Sequence, residues 1–457
     1  MGGGGGVPGI PTQVSVTCPM PNTADASEQS AVNIEVYVDG TPSMEGYVSN
    51  PDSRYSQTIE QLLRVLKVEP VGLDGQPRPL GGTAYFRLGN RPDGRKLDSI
   101  SEAEYRQSKL RDFYSGTSLP RLPSLQVAEI DAAIVPPPSE QNKLTIIITD
   151  LYQREENTAK IVTNLQKYVE ASQQNGAVGI LGIRSEFNGT IYSESPVGPG
   201  DFFYAMNSAP TRPFYVVFVG DLDDVHFYLD TLKRELQFGE GIESMILSPY
   251  RLHRSVAFLD RQNGDNLSSE QRRQVSIPVN SVKQGGLVVN LTDPHVQPLS
   301  LRRQQTEPLT WPTQAALSPI SHVLMPSKLE IGTTAQSFDP QTKGFMPDDS
   351  LQQALNFPGV SLSGEALSVD AQITPSAIST RGIYLFQADA TVNKSVDMLL
   401  EEPEWWSTWS GTKSRREGDK TTDLSLFMTD LKNRMVSLMR QQPPLVSRLC
   451  YVIHKRR

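Results

Sequence analysis

Hydrophobic and polar positions divide the chain into two textures. From Asn33 onward, short apolar runs alternate with stretches of helical period. Asn33–Val38 reads as a strand, and Gln57–Lys67 sets Ile59, Leu62, Leu63 and Leu66 on one helical stripe. Thr83–Leu88 is strand-like. Lys143–Thr149 is an apolar run ending at Asp150, the kind expected in a parallel sheet covered on both faces. Glu155–Gln174 returns to helical spacing through Ile161, Leu165, Tyr168 and Val169. Val178–Ile183 and Phe214–Val219 read as buried strands, and Val225–Leu236 as a further helix. This β-α-β-α order predicts an α/β domain over 31–240 with a doubly wound, mostly parallel sheet, its site at the carboxyl ends of the strands. After about residue 245 the strands shorten: Val256–Asp260, Val275–Val282 and Leu287–Leu291. Residues 293–350, rich in Pro, Gln, Ser and Thr, read as extended loops. Ile383–Val392 and Leu449–Ile453 read as strands. Asp423–Arg440 is the clearest amphipathic helix, with Leu424, Phe427, Met428, Leu431, Met435 and Leu438 on one stripe, stopped by Pro443–Pro444. The second unit, 245–457, is therefore expected to be β-rich with long loops and one helix at 423–440. Residues 1–30 read as a flexible tail with a short strand at 13–18, able to run back to the β-rich part.

Composition narrows the functional classes. Lys and Arg number 43 against 51 Asp and Glu, a net charge of −8, which argues against nucleic acid as the main ligand. No apolar stretch reaches the roughly 18–20 residues a membrane span needs. The glycine-rich start lacks the basic and apolar regions of a signal peptide, though it could stand where one was removed; the default expectation is a cytoplasmic chain. The two cysteines, Cys18 and Cys450, allow one terminus-to-terminus bridge but no disulfide framework and no cysteine zinc site.

The chemistry concentrates in Val36-Tyr-Val-Asp39-Gly-Thr41-Pro-Ser43-Met44. An apolar strand delivers a carboxylate and two hydroxyls, at alternate positions, onto its C-terminal loop. Oxygen groups without sulfur or imidazole suit a hard divalent cation such as Mg²⁺. Ser115-Gly-Thr117-Ser-Leu offers a second hydroxyl loop, and Ile146-Ile-Ile-Thr149-Asp150 a second strand-end carboxylate. The same Asp-Gly-Thr-Pro-Ser would also serve an ordinary strand-to-helix turn.

Over roughly residues 30–240 these features resemble the von Willebrand factor A family and its metal-ion-dependent adhesion site. That site combines Asp-x-Ser-x-Ser with a threonine from a second loop and an aspartate from a third. The resemblance implies a Rossmann-like fold with Asp39, Thr41, Ser43, Thr117 and Asp150 as ligands of Mg²⁺ or Mn²⁺, whose open position captures an Asp or Glu of a protein partner. It further implies a subunit of a larger assembly, with an AAA+ ATPase among the partner types, and no catalytic turnover. The sequence departs from the pattern at three places: Thr41 stands for the usual serine, Pro42 separates the ligands, and Leu151 follows Asp150 where glycine is common. Gly81-Gly-Thr83 offers a competing threonine to Thr117.

Two other readings stand beside this one. Haloacid dehalogenase-like phosphatases also start from a strand-end aspartate; Asp39 as nucleophile, Lys160 or Lys167, and Gly220-Asp221-Leu-Asp223-Asp224 match superficially. Thr41 replaces the acid–base aspartate such an enzyme uses, and the later acids are better read as an N-cap cluster before the helix Val225–Leu236. The other reading is a structural subunit with an empty site. Outside the α/β unit, Trp405, Trp406 and Trp409 are candidate partner-binding anchors, with packing inside their own domain as the alternative.

Overall fold

A computed structural model of the chain describes residues 12–18, 30–73, 75–115, 123–125, 127–138, 141–151, 155–172, 175–192, 200–258, 269, 273, 275–277, 281–284, 287–291, 293, 296–302, 305–320, 328–363, 366–393 and 402–456. Among them, seven strands form one sheet: Val32–Asp39 (β1), Leu80–Leu88 (β2), Leu97–Ile100 (β3), Lys143–Thr149 (β4), Gly176–Ser185 (β5), Arg212–Asp221 (β6) and Ile242–Leu247 (β7). Their spatial order is β7-β5-β6-β4-β1-β2-β3. Helices Arg54–Val65 (α1), Glu155–Ala171 (α2) and Leu222–Leu236 (α3) lie between them in the chain.

Alternation along the central strands assigns the two faces. Ile34, Val36 and Val38 of β1, Ile146 and Ile148 of β4, and Phe214, Val216 and Phe218 of β6 share a core with α1 and α3. Tyr37, Ile147, Tyr215, Val217 and Val219 point the other way, onto α2. Burial on both faces is why these strands read as continuous apolar runs. The class is mixed α/β, and the parallel part is confined to β2-β1-β4. The other four pairings are antiparallel. The reason lies in the connection from β5 to β6. A parallel pair needs a crossover of a dozen or more residues, usually helical, but the residues between β5 and β6 contribute to a hairpin of Phe187–Ile191 and Phe202–Met206. The chain therefore returns alongside β5, pairing Gly176 with Asp221 through Ser185 with Arg212. Strand β6 slots between β4 and β5, pointing opposite to both.

The C-terminal half holds two facing antiparallel-rich sheets. One contains His253–Phe258, Leu309–Pro319, Ala366–Ile373 and Leu355–Ser363; the other is centred on Leu445–Lys455 and Gly382–Val392. The stretch expected as loops over 293–350 contains the strands Val296–Leu301, Leu309–Pro319, Leu329–Asp339 and Gly344–Pro347. Its period-two signal is real but muted. Leu309, Trp311, Thr313, Ala315 and Leu317 are buried, while Thr310, Pro312 and Gln314 are exposed, and so many polar residues mask the alternation. Thr12–Ser15 pairs in parallel with Leu287–Asn290. Cys18 and Cys450 form a disulfide with Cα atoms 5.9 Å apart, tying the N-terminal segment to strand Leu445–Lys455.

Helix Leu424–Gln441 (α4) returns to the first sheet and packs on α2, its buried stripe Leu424, Phe427, Met428, Leu431, Met435 and Leu438 joining the core beneath β4 and β6. No described helix is long and apolar enough to cross a membrane.

Candidate functional site

The parallel register sets the site. Val38 pairs with Ile148, so Asp39 and Thr149 end neighbouring strands side by side, with Asp150 one residue further. Pro42 then opens a 3-10 helix, Pro42–Val48, fitting its fixed φ to the first helical position. This turn carries Ser43 back toward Asp39. Thr41 donates twice to Asp39 Oδ1, from its backbone N at 3.0 Å and its Oγ1 at 2.6 Å. The Thr41 and Ser43 hydroxyls are 3.1 Å apart. On the other side, Thr149 Oγ1 donates to Asp39 Oδ2 at 2.9 Å.

The structure thus gathers Asp39, Thr41, Ser43 and Asp150, and it adds Thr149. Thr117 lies outside the described residues. The competing Thr83 belongs to β2, where it pairs with Ile34, several residues before the strand's carboxyl end. Asp39 and Asp150 are 0% and 1% exposed, Thr41 4%, and Ser43, the most exposed of the four, 9%. Burial, and next the charge of Asp150, push the Asp39 carboxyl from 3.8 up to about 7, against the pull of the Thr41 and Thr149 hydrogen bonds. Two carboxylates in a dry pocket create a demand for positive charge.

Two arginines that the sequence did not single out lie against this pocket. Arg87, fully buried, donates to the carbonyls of Gly40 (3.2 Å), Phe113 (2.8 Å) and Pro123 (2.7 Å), clamping the loop after Asp39. A Cβ at Gly40 would stand 2.6 Å from the Arg87 side chain, so glycine is what admits this close approach. Burial lowers the Arg87 guanidinium to about 10, which still leaves it charged at neutral pH. Arg212, the first residue of β6, reaches within 3.6 Å of Asp150 Oδ2. Leu151 sits at φ 53°, in the left-handed region that favours glycine.

The acids Asp221, Asp223 and Asp224 lie at the other end of β6, nine residues or about 30 Å from Arg212 at 3.3 Å per residue. Asp221 caps α3 by accepting from the Asp223 backbone N. All three carboxylates pair with Arg78, and Asp223 also faces Arg251. The capping alternative describes them, extended by a buried ion network.

Trp405, Trp406 and Trp409 are 5%, 1% and 6% exposed, so the indoles considered as partner anchors are instead packed inside the molecule. Trp409 lies over Gly182 of β5, where a Cβ would come within 2.9 Å of the ring, and the Arg184 guanidinium stacks on it at 4.9 Å. Trp409 thus fastens the segment before α4 onto the sheet.

Among the described residues no three His, Cys, Asp or Glu side chains gather as a metal cage. A cation at this site would rest on two carboxylates and the hydroxyls between them. No family model and no curated protein matches the chain.

Proposed function

We propose that the α/β unit is a metal-dependent protein-interaction module of von Willebrand factor A type. The observation that carries this reading is the convergence of Asp39, Thr41, Ser43 and Asp150 at the carboxyl ends of adjacent parallel strands. The donors are all oxygen and include two mutually repelling carboxylates, a set that fits Mg²⁺ or Mn²⁺. Asp39, Thr41, Ser43 and Asp150 would hold the ion, directly or through water. When bound, it supplies a coordination position that an Asp or Glu of a partner protein can fill. Ser43 marks the side of the site nearest solvent. Beside it stands the Phe187–Met206 hairpin, seated on Gly46 of the 3-10 helix and exposing Phe203, an apolar rim suited to protein contact. The phosphotransfer reading loses its second acidic motif, since Asp221–Asp224 are remote from Asp39 and engaged by Arg78. The Cys18–Cys450 disulfide favours an oxidising compartment over the cytoplasm.

A second reading has its own observation. Arg87 and Arg212 bring two positive charges to the surroundings of two aspartates, so a structural subunit with an empty site is electrostatically tenable. Calorimetric titration of the full chain with Mg²⁺ and Mn²⁺ separates the two. The module reading expects saturable binding that is lost in Asp39→Ala and Asp150→Ala; full binding by Asp39→Ala rules out this site. Pull-down with and without EDTA then identifies the partner.

A further inference from the structure

Arg212 stands where four parts of the fold meet. It is 4% exposed, and its Nη2 lies 3.6 Å from Asp150 Oδ2. Its Nη1 donates to two backbone carbonyls of the C-terminal half, Gly418 O at 3.1 Å and Lys420 O at 3.3 Å. Its guanidinium carbon sits 5.0 Å from the Phe187 ring of the hairpin. The next residue, Pro213, accepts the Tyr47 hydroxyl of the 3-10 helix at 2.5 Å. Gly418 and Lys420 belong to a strap, Ser410–Thr422, whose ends pair in parallel, Ser410 with Thr421 and Gly411 with Thr422. A further hydrogen bond, Tyr215 hydroxyl to Thr421 Oγ1 at 3.0 Å, fixes the strap to β6. One guanidinium therefore faces an aspartate of the candidate cation site and pegs a distant part of the chain.

We propose that Arg212 is a resident counter-ion that sets the cation affinity of the Asp39–Asp150 site and couples that site to the strap Ser410–Thr422. The proposal rests on the metal-binding reading above. A divalent ion bound by Asp150 and the Arg212 guanidinium carry like charges a few ångströms apart in a buried pocket, so each weakens the hold of the other. Because Arg212 is also the peg for Gly418 and Lys420, cation binding loosens the strap, and by linkage the seated strap weakens cation binding by the same factor. Arginine suits this double role: its charge is permanent and its fork reaches the carboxylate and the two carbonyls together.

Two measurements on the full-length chain test the coupling. In calorimetry with Mg²⁺ and Mn²⁺ at pH 8, Arg212→Gln binds about tenfold tighter than the wild type. Tyr215→Phe, which loses a strap hydrogen bond but no charge, binds somewhat more tightly than the wild type, as the linkage requires, but less tightly than Arg212→Gln, because the Arg212 guanidinium still faces Asp150. In hydrogen exchange on the wild-type chain, which depends on no variant folding, amides of 412–420 exchange faster with saturating Mg²⁺ than with EDTA. Binding by Arg212→Gln alone supports the counter-ion role. Equal or weaker binding by Arg212→Gln beside a binding wild type, or strap exchange indifferent to the cation, overturns the coupling and leaves the site standing. If neither chain binds a divalent ion, the metal-binding reading falls and takes the coupling with it.

Discussion

Replacing Asp39 by asparagine keeps the shape of the side chain and removes its charge, so it asks directly whether this pocket is built around an electrostatic conflict. A carboxyl moved from 3.8 to about 7 by burial and by Asp150 makes its ionised form about 4 kcal/mol less favourable in the fold than in the unfolded chain. The asparagine carbonyl can take over both hydrogen bonds from Thr41 to Oδ1. Its amide then faces Thr149 Oγ1, which already accepts from the Leu151 backbone N at 3.1 Å, so about one hydrogen bond is degraded, a loss of about 1 kcal/mol. The net expectation for Asp39→Asn above pH 7, without divalent ions, is a gain of about 2–3 kcal/mol.

The sign follows from proton binding. Between pH 3.8 and about 7 the folded chain keeps a proton on Asp39 that the unfolded chain has released, so wild-type stability falls as pH rises through that window and levels off above it. Asp39→Asn lacks this slope. The two proteins are therefore of similar stability near pH 5 and separate at pH 8. Buried Asp224, also pushed up to about 7 by burial and by Asp221 despite Arg78, adds the same slope to both chains and cancels in the difference. Thermal unfolding in EDTA at pH 5 and pH 8, repeated with saturating Mg²⁺, measures it. Mg²⁺ stabilises the wild type and leaves Asp39→Asn unmoved, because the ion replaces the missing positive charge only where both carboxylates remain. The reasoning is refuted if Asp39→Asn is less stable than the wild type by the same margin at both pH values, or if Mg²⁺ raises both chains equally.

Two further predictions concern the frame that holds the site. Cys450→Ser, or reduction of the wild type, frees a cross-link spanning 432 residues and lowers the stability of the C-terminal half by about 3 kcal/mol; two titratable thiols in the native, oxidant-treated chain would refute the bridge. Gln237 caps α3 in the left-handed region at φ 46° with its side chain exposed, so Gln237→Gly stabilises the chain by about 0.5–1 kcal/mol in chemical denaturation, and a loss of stability contradicts the strain.

What the sequence made legible and what it hid both come down to β6. The apolar texture of Phe214–Val219 announced a strand buried on two faces, and its core residues lie as that texture requires. Texture carries no direction, however. Direction is decided by what connects a strand to its predecessor, and the Gly- and Pro-rich stretch after β5 gave no sign of the hairpin that lets the chain turn straight back. Run in parallel, β6 would bring Asp221 toward Asp39 and carry Arg212 to the far edge. Run in reverse, it sends Asp221, Asp223 and Asp224 to Arg78 and delivers Arg212 to Asp150. Asp39, Thr41, Ser43 and Asp150 were readable because each follows an apolar strand within a few residues, where local sequence dictates position. Thr149 was readable in principle, as the polar residue ending β4 next to Asp39. Arg87 and Arg212 were not, since an arginine at a strand end is ordinarily solvated and only the tertiary arrangement brings these two against the aspartates. The charge balance of the site, which decides whether it prefers a cation or remains closed on its own arginines, is thus set by long-range topology, while the positions of its oxygen groups are set locally.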